Sequence, residues 1–194
     1  YLDMVQRVRD AEQAIDTDDA LSKAVAMHLF KLMSYKDEYE VARLYGTREY
    51  AEQVREAFEG DYSLKIHLAP PLLAQRDPET GELQKREYGA WALKAFGLLR
   101  HLKGLRGTPF DFFGYTKERR TERALIGEYE RIIGEVLSKL DPDNHALAVE
   151  IASIPDHIRG YGHVKERHLK AAKKRETELL ASFRAPRQRM TAAE

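Results

Sequence analysis

The sequence predicts a mainly α fold, a multi-helix bundle with a small β-hairpin or irregular insertion around residues 61–90. Three observations carry that expectation. Apolar residues recur at the helical period over most of the chain. Charged residues make up 33% of the sequence and hydrophobic ones 43%, a mixture that belongs to amphipathic helices packed together rather than to a disordered chain. From Asp61 the pattern gives way to alternation and turn residues. A chain of 194 residues suffices for one domain with a real core. The expected organisation is a single helical domain over 1–185, with helices in 1–60 and 91–185 and the insertion between them, followed by a flexible tail at 186–194.

The first element is the helix in "YLDMVQRVRDAEQAI", where Leu2, Val5 and Val8 recur at helical spacing. It begins on Tyr1 with a helix already under way, so the chain reads as a piece of something longer. "DTDD" then supplies short polar side chains of the kind that cap a helix start. In "ALSKAVAMHLFKLM", Leu21, Val25, His28, Leu29 and Leu32 form one stripe, which makes His28 a hydrogen-bonded packing residue at the edge of a core. "YKDEYEVARLY" continues the helical pattern, and "TREYAEQVREAFEG" makes another helix with Thr47 as cap and Gly60 as stop.

In "YSLKIHLAP", Leu64, Ile66 and Leu68 alternate with Ser63, Lys65 and His67, the mark of a half-buried strand that Pro70 and Pro71 end. Asp77-Pro78-Glu79-Thr80-Gly81 is a turn sequence. "AWALKAFGLLRHLKGLRG" returns to helix, with Trp91, Ala95, Leu98, Leu99 and Leu102 on the core face. The aromatic run "TPFDFFGY" is expected to plug a loop from beneath, with a ligand-stacking surface as the alternative. From Thr116 to Leu140, a continuous apolar face of Leu125, Ile126, Tyr129, Ile132, Ile133, Val136, Leu137 and Leu140 predicts the central helix. Asp141 and Pro142 end it and open a short core helix that stops before Pro155. The last helix runs from Gly162 or His163 to about Phe183, with Val164, Leu169, Ala172, Leu179 and Phe183 inward.

Composition excludes several function classes. Lys+Arg and Asp+Glu both number 32, so no global field draws the chain to nucleic acid or anionic lipid. With no cysteine there is no disulfide framework, thiolate zinc site or cluster ligated by this chain, which fits a reducing cytoplasm. No apolar run approaches the roughly 20 residues of a membrane span. Walker, nucleophile-elbow and paired-histidine zinc motifs are absent, and "HVKERH" sets His163 and His168 five apart on different helix faces. Glu166, Glu176 and Glu178 interrupt the basic run in the last helix, which argues for a solvated face over a nucleic-acid site. Gly160-Tyr161-Gly162 lacks the third glycine of a dinucleotide fingerprint and reads as a bend that displays Arg159, Tyr161, His163 and Lys165.

Four segments, "LFKLMSYKDEYEVARLY", "FEGDYSLKIHLAPPLLAQRDPETG", "LRGTPFDFFGYTKERR" and "IRGYGHVKERHL", resemble in order the C-terminal region of the fused indolepyruvate ferredoxin oxidoreductases, members of the 2-oxoacid:ferredoxin oxidoreductase superfamily. The resemblance runs from about Leu21 to Phe183 and implies a non-catalytic accessory domain packing on the catalytic domains of such an enzyme. It implies thiamine diphosphate, Mg and an iron–sulfur cluster for the whole enzyme, with ferredoxin and coenzyme A as its partners. This segment alone is expected to hold no cofactor and to be inactive. The family's Gly-Asp-Gly signature is missing, Glu59-Gly60-Asp61-Tyr62 being the nearest string. Lys36, Arg43, Arg159, Tyr161, His163 and Lys165 are then expected to converge on one face turned to the substrate or to the neighbouring domains, with no catalytic or metal residue among them. Two other readings stand beside this one. One is a free-standing helical module docking a protein or nucleic acid; the other is an independent enzyme using His163 with Lys165 or Glu166 as acid and base.

Overall fold

The computed structural model describes residues 1–68, 84–160 and 162–185, with His163 described by its backbone alone. The fold is mainly helical, with one two-stranded antiparallel sheet among the described residues. In chain order the elements are α1 (Leu2–Ala14), α2 (Ala20–Met33), α3 (Glu38–Tyr45), α4 (Arg48–Ala57), β1 (Ile66–Leu68), β2 (Arg86–Tyr88), α5 (Trp91–Leu99), α6 (Lys117–Leu137), α7 (His145–Ser153) and α8 (Gly162–Arg184). Single 3₁₀ turns stand at Arg100–Leu105, Phe112–Tyr115 and Ile154–His157. The chain divides into two compact units, Tyr1–Ser34 with Ala124–Glu194, and Tyr35–Arg123.

The first unit holds the apolar core. α2 packs on α1 and α7, and α7 on α8. Val8, Leu21, Val25 and Leu29 meet Leu125, Tyr129, Ile132, Ile133 and Val136 of α6 and Ile151 of α7 in one cluster. The face predicted for 116–140 is therefore a core face, although the helix ends at Leu137. Burying a side chain the size of Ile133 contributes about 1.5–3 kcal/mol. The Tyr129 hydroxyl crosses the cluster to donate to the Ala152 carbonyl at 2.8 Å, which satisfies the one polar atom that the ring carries inward. α8 adds Ala172, Leu179, Leu180 and Phe183.

Three local expectations give way here. The cap of α2 comes only in part from "DTDD": Asp18 Oδ1 accepts from the Ala20 amide at 3.2 Å, Asp19 makes no such bond, and Glu12 of α1 accepts from the Leu21 and Ser22 amides at 2.6 and 2.8 Å. α7 starts three residues later than Asp141-Pro142 suggested, because Asp141 and Asn144 exchange backbone-to-side-chain hydrogen bonds, both 2.9 Å, and close a turn ahead of it. His28 is buried as expected, but its Nδ1 has no hydrogen-bond partner among the described residues. Burial holds its pKa below the usual histidine range, with Lys31 and His157 acting in the same direction and the Asp156 charge opposing them.

The second unit has little apolar core. Its buried hydrophobic residues are Tyr39, Ala42 and Ala92, and beside them lie Asp37, Asp111, Arg119 and Glu122. The helix expected to run on through "YKDEYEVARLY" breaks after Met33 and restarts at Glu38, because the Asp37 carboxylate caps α3 by accepting from the Tyr39 and Glu40 amides at 2.8 and 3.3 Å. Thr47 caps α4 as expected, accepting from the Tyr50 amide at 3.2 Å, but the helix ends at Ala57, ahead of Gly60. α3 packs on α5 at closest approach through Gly46, where a Cβ would stand 2.6 Å from the Ala42 carbonyl oxygen and 2.9 Å from the Gly97 nitrogen. β1 pairs with β2 in the register Ile66↔Tyr88, His67↔Glu87, Leu68↔Arg86. Leu64, Ile66 and Leu68 alternate with more exposed neighbours as predicted. The turn proposed at Asp77–Gly81 lies outside the described residues, as do 186–194. On α5 the predicted core face is wrong: Trp91 and Leu98 are exposed, and Ala92 is the buried residue. The aromatic run is also inverted, since Phe110 and Phe112 are 68% and 67% exposed while Asp111 between them is buried.

Candidate functional site

In the second unit, two of the segments that carry the family resemblance fold against each other and form its polar centre. Tyr35, Asp37 and Glu38 come from the first of them, and Arg106, Asp111, Arg119 and Arg123 from "LRGTPFDFFGYTKERR" and the helix that continues it. Arg119, only 7% exposed in its side chain, lays its Nε and Nη2 on the two oxygens of Glu38 at 3.2 and 2.8 Å. A charge this far from water persists only in such a paired, forked arrangement. Arg123 reaches Asp111 at 2.6 Å, and the same carboxylate takes the Gly107 and Gly114 amides at 2.9 and 3.1 Å. Burial pushes the Asp111 carboxyl up, and these hydrogen bonds outweigh it, so its pKa lies below the usual range. Asp111 thus holds the loop as a peg, which is why the phenylalanines beside it point outward. Phe113 alone turns back, edge-on to Tyr39 with ring centres 5.3 Å apart.

Tyr35 stands in the middle of the three arginines. Its hydroxyl accepts from Arg106 Nη2 at 2.9 Å and from Arg123 Nε at 3.3 Å. The guanidinium groups of Arg106 and Arg119 lie 5.2 and 5.5 Å from its ring centre, within cation–π range. Arg106 also brings Nε to 3.0 Å from Asp37 Oδ2, but this is an ion pair without an aligned hydrogen bond. The run Tyr35-Lys36-Asp37-Glu38-Tyr39 carries more polar and aromatic side chains than packing needs, but nothing in the sequence joins it to these arginines, because the partners are some 70 to 90 positions apart.

The residues singled out from the sequence fall in both units. Lys36 and Arg43 belong to the second. Lys36 is exposed, and Arg43 forks onto Glu40 at 2.8 and 2.5 Å. Lys103 joins them at 2.8 Å, and Arg43 and Lys103 together pull the Glu40 carboxyl down to about 2. Arg159 and Lys165 belong to the first unit. Arg159 donates to the Asp156 carbonyl and pairs with its carboxylate, and its own carbonyl lies 2.8 Å from His168 Nδ1. Lys31 of α2 fixes the same turn by donating to the Pro155 and Asp156 carbonyls at 2.9 and 3.1 Å. Gly160 has φ +88°, so the expected bend is real, and a Cβ there would press on Val164 Cγ1 at 2.9 Å. Tyr161 and the His163 side chain lie outside the described residues.

A further polar cluster in the first unit escaped the sequence altogether. Glu12, Asp18 and His145 each bring a possible ligand atom within 4.8 Å of the others. Glu12 is already engaged, however: Oε1 takes the Leu21 amide and His145 Nε2 at 2.7 Å, and Oε2 takes the Ser22 amide and hydroxyl. With four donors on two oxygens, this is a helix cap supplied by a neighbouring helix. In the second unit, an open groove of about 380 Å³ is lined by Leu44, Tyr45, Thr47, Glu49, Tyr50 and Gln53. Its two tyrosines pack edge-to-face on each other, 4.9 Å between ring centres, and so present no paired faces to a ligand.

No described helix is long and apolar enough to cross a membrane. Residues 1–178 match the model of a family of unknown function, DUF6537, and the chain belongs to that family. No curated protein and no solved structure matches it.

Proposed function

We propose that the chain is a non-catalytic C-terminal accessory domain of a large thiamine-diphosphate-dependent indolepyruvate ferredoxin oxidoreductase, packing on its catalytic domains in the cytoplasm. The observation that carries this reading is the ordered set of four segments resembling that enzyme's C-terminal region. The geometry supports a scaffolding part in two ways. Several ionisable groups in or next to those segments are committed to holding turns and helix ends, as with Asp37, Asp111, Arg119 and Arg123 in the second unit and Lys31 in the first. An ordered loop meanwhile presents Phe110, Phe112 and Tyr115 outward, the type of aromatic surface that interfaces between domains use.

In this reading, thiamine diphosphate, magnesium, the iron–sulfur cluster, ferredoxin and coenzyme A are matters for the catalytic domains. Lys36, Arg43, Arg159, Tyr161, His163 and Lys165 serve as docking residues. The test has two arms. The reading frame that encodes this chain should extend far upstream of Tyr1 and encode the Gly-Asp-Gly signature followed by asparagine. In that full-length polypeptide, Arg159→Ala and His163→Ala should lower turnover or raise the coenzyme A requirement, while the same changes leave the melting of the 194-residue chain nearly unaltered. Micromolar binding of thiamine diphosphate by the 194-residue chain alone, or a frame with no catalytic region upstream, overturns the proposal.

A further inference from the structure

We infer that Tyr35, Arg106 and Arg123 form a binding site for a small oxyanion, a phosphate or carboxylate group. The argument begins with the valences of the tyrosine oxygen. A phenol oxygen has two acceptor positions and one proton. Arg106 Nη2 and Arg123 Nε occupy the acceptor side at 2.9 and 3.3 Å. The proton is therefore turned away from both guanidinium groups, and no acceptor for it exists among the described residues.

The carboxylates nearby do not fill that role. Asp37 Oδ1 is committed to the amides of α3, and Oδ2, 3.0 Å from Arg106 Nε, takes no hydrogen bond from the Tyr35 hydroxyl or from any other described residue. Both Glu38 oxygens are on Arg119. Asp111 is held by Gly107, Gly114 and Arg123. Among the described residues the Nη1 groups of Arg106 and Arg123 have no hydrogen-bond acceptor, and the two side chains are 39% and 36% exposed. The phenol O–H and the remaining N–H groups of the two guanidinium ions beside it are the kind of donors that planar or tetrahedral oxyanions accept. Arg119, buried and paired with Glu38 through Nε and Nη2, has no part in binding and packs on the tyrosine ring.

This site is independent of the accessory-domain reading, and its test uses the 194-residue chain as it stands. Inorganic phosphate and acetate are titrated separately by NMR and calorimetry at ionic strength held constant with chloride. Saturable binding of at least one is expected, and the difference between the two shows whether the site takes phosphate or carboxylate. Tyr35→Phe keeps the ring contacts and removes only the hydroxyl; Arg106→Gln removes the more exposed cation. Each should weaken binding by about tenfold, the loss expected for one hydrogen bond to a charged group. Arg106→Lys, which keeps the charge but not the fork, should fall between Gln and the native residue. Circular dichroism establishes that each variant is folded. Absence of saturable binding by either anion, or binding that Tyr35→Phe and Arg106→Lys leave unchanged, overturns the inference.

Discussion

Replacing Glu12 by glutamine tests the most deeply buried polar contact in the first unit. The carboxylate is 1% exposed and receives the amides of Leu21 and Ser22, the Ser22 hydroxyl and His145 Nε2. Glutamine can accept on one oxygen only and sets an NH₂ against donors on the other side. One buried donor left unpaired costs about 1–3 kcal/mol, and loss of a charged cap at a helix start adds about 1 kcal/mol. The sum is about 3 kcal/mol, which lowers the melting temperature by about 6–12 °C in a chain of this size. Asp18→Ala is the comparison, because that side chain is 78% exposed, lies 3.8 Å from the same histidine and accepts only the Ala20 amide; it should cost about 0.5–1 kcal/mol, well below Glu12→Gln. The pH dependence follows from the sign of the shift. Burial pushes the Glu12 carboxyl up, but the His145, Ser22 and Leu21 hydrogen bonds outweigh it, so its folded pKa is depressed. Its stabilisation is full above the unfolded pKa of about 4.3 and is lost as pH falls through the folded value. Far-UV circular dichroism during urea and thermal unfolding reads both effects. If Glu12→Gln melts with Asp18→Ala, or the acid limb of the native protein matches that of the variant, the carboxylate is not the cap of α2.

Ile133→Asp places an unpaired charge where the exposure is 0%, and loss of helical signal at room temperature is the expected outcome. Arg119→Ala leaves Glu38 half of a buried pair; about 3–5 kcal/mol should be lost, and hydrogen exchange should show it first in α3. Gly160→Ala meets both a φ of +88° and the Val164 methyl at 2.9 Å, and should cost about 1–3 kcal/mol by chemical denaturation, more than Gly162→Ala, where no atom lies within 4 Å.

Periodicity located the helices well wherever an apolar stripe is covered along its length. Leu125, Tyr129, Ile132, Ile133 and Val136 were legible as the inward face of α6 because every one of them is buried. The same rule failed on α5, whose stripe of Trp91 and Leu98 is as regular but has no cover, since a sequence shows the stripe and not its partner. Caps were read from neighbours in sequence and succeeded for Thr47, where the capped amide is local. The cap of α2 comes from Glu12, across a turn in another helix, and no local rule reaches it. In the aromatic loop, hydrophobicity argued for buried phenylalanines, while the backbone amides of Gly107 and Gly114 and the Arg123 cation needed an acid inside. The polar cluster at Tyr35 went unread for the same reason: its members share a place in space but no spacing in the chain. The boundary between the units at Arg123 and Ala124 was equally invisible, because α6 runs through it without a break.

That division makes the first unit discontinuous, assembled from Tyr1–Ser34 and a stretch that begins only at Ala124. During synthesis, α1 and α2 emerge with Val8, Leu21, Val25 and Leu29 bare, and the α6 and α7 residues that cover them follow after the whole of Tyr35–Arg123 has been made. At ordinary elongation rates that delay is roughly 5–20 s, very long beside the time a helix needs to form. The second unit is contiguous and can close on the ribosome in the interval, its salt-bridged centre complete once Arg123 has left the exit tunnel. The earliest helices of the chain are thus among the last to be buried, and their apolar faces stay bare while translation continues.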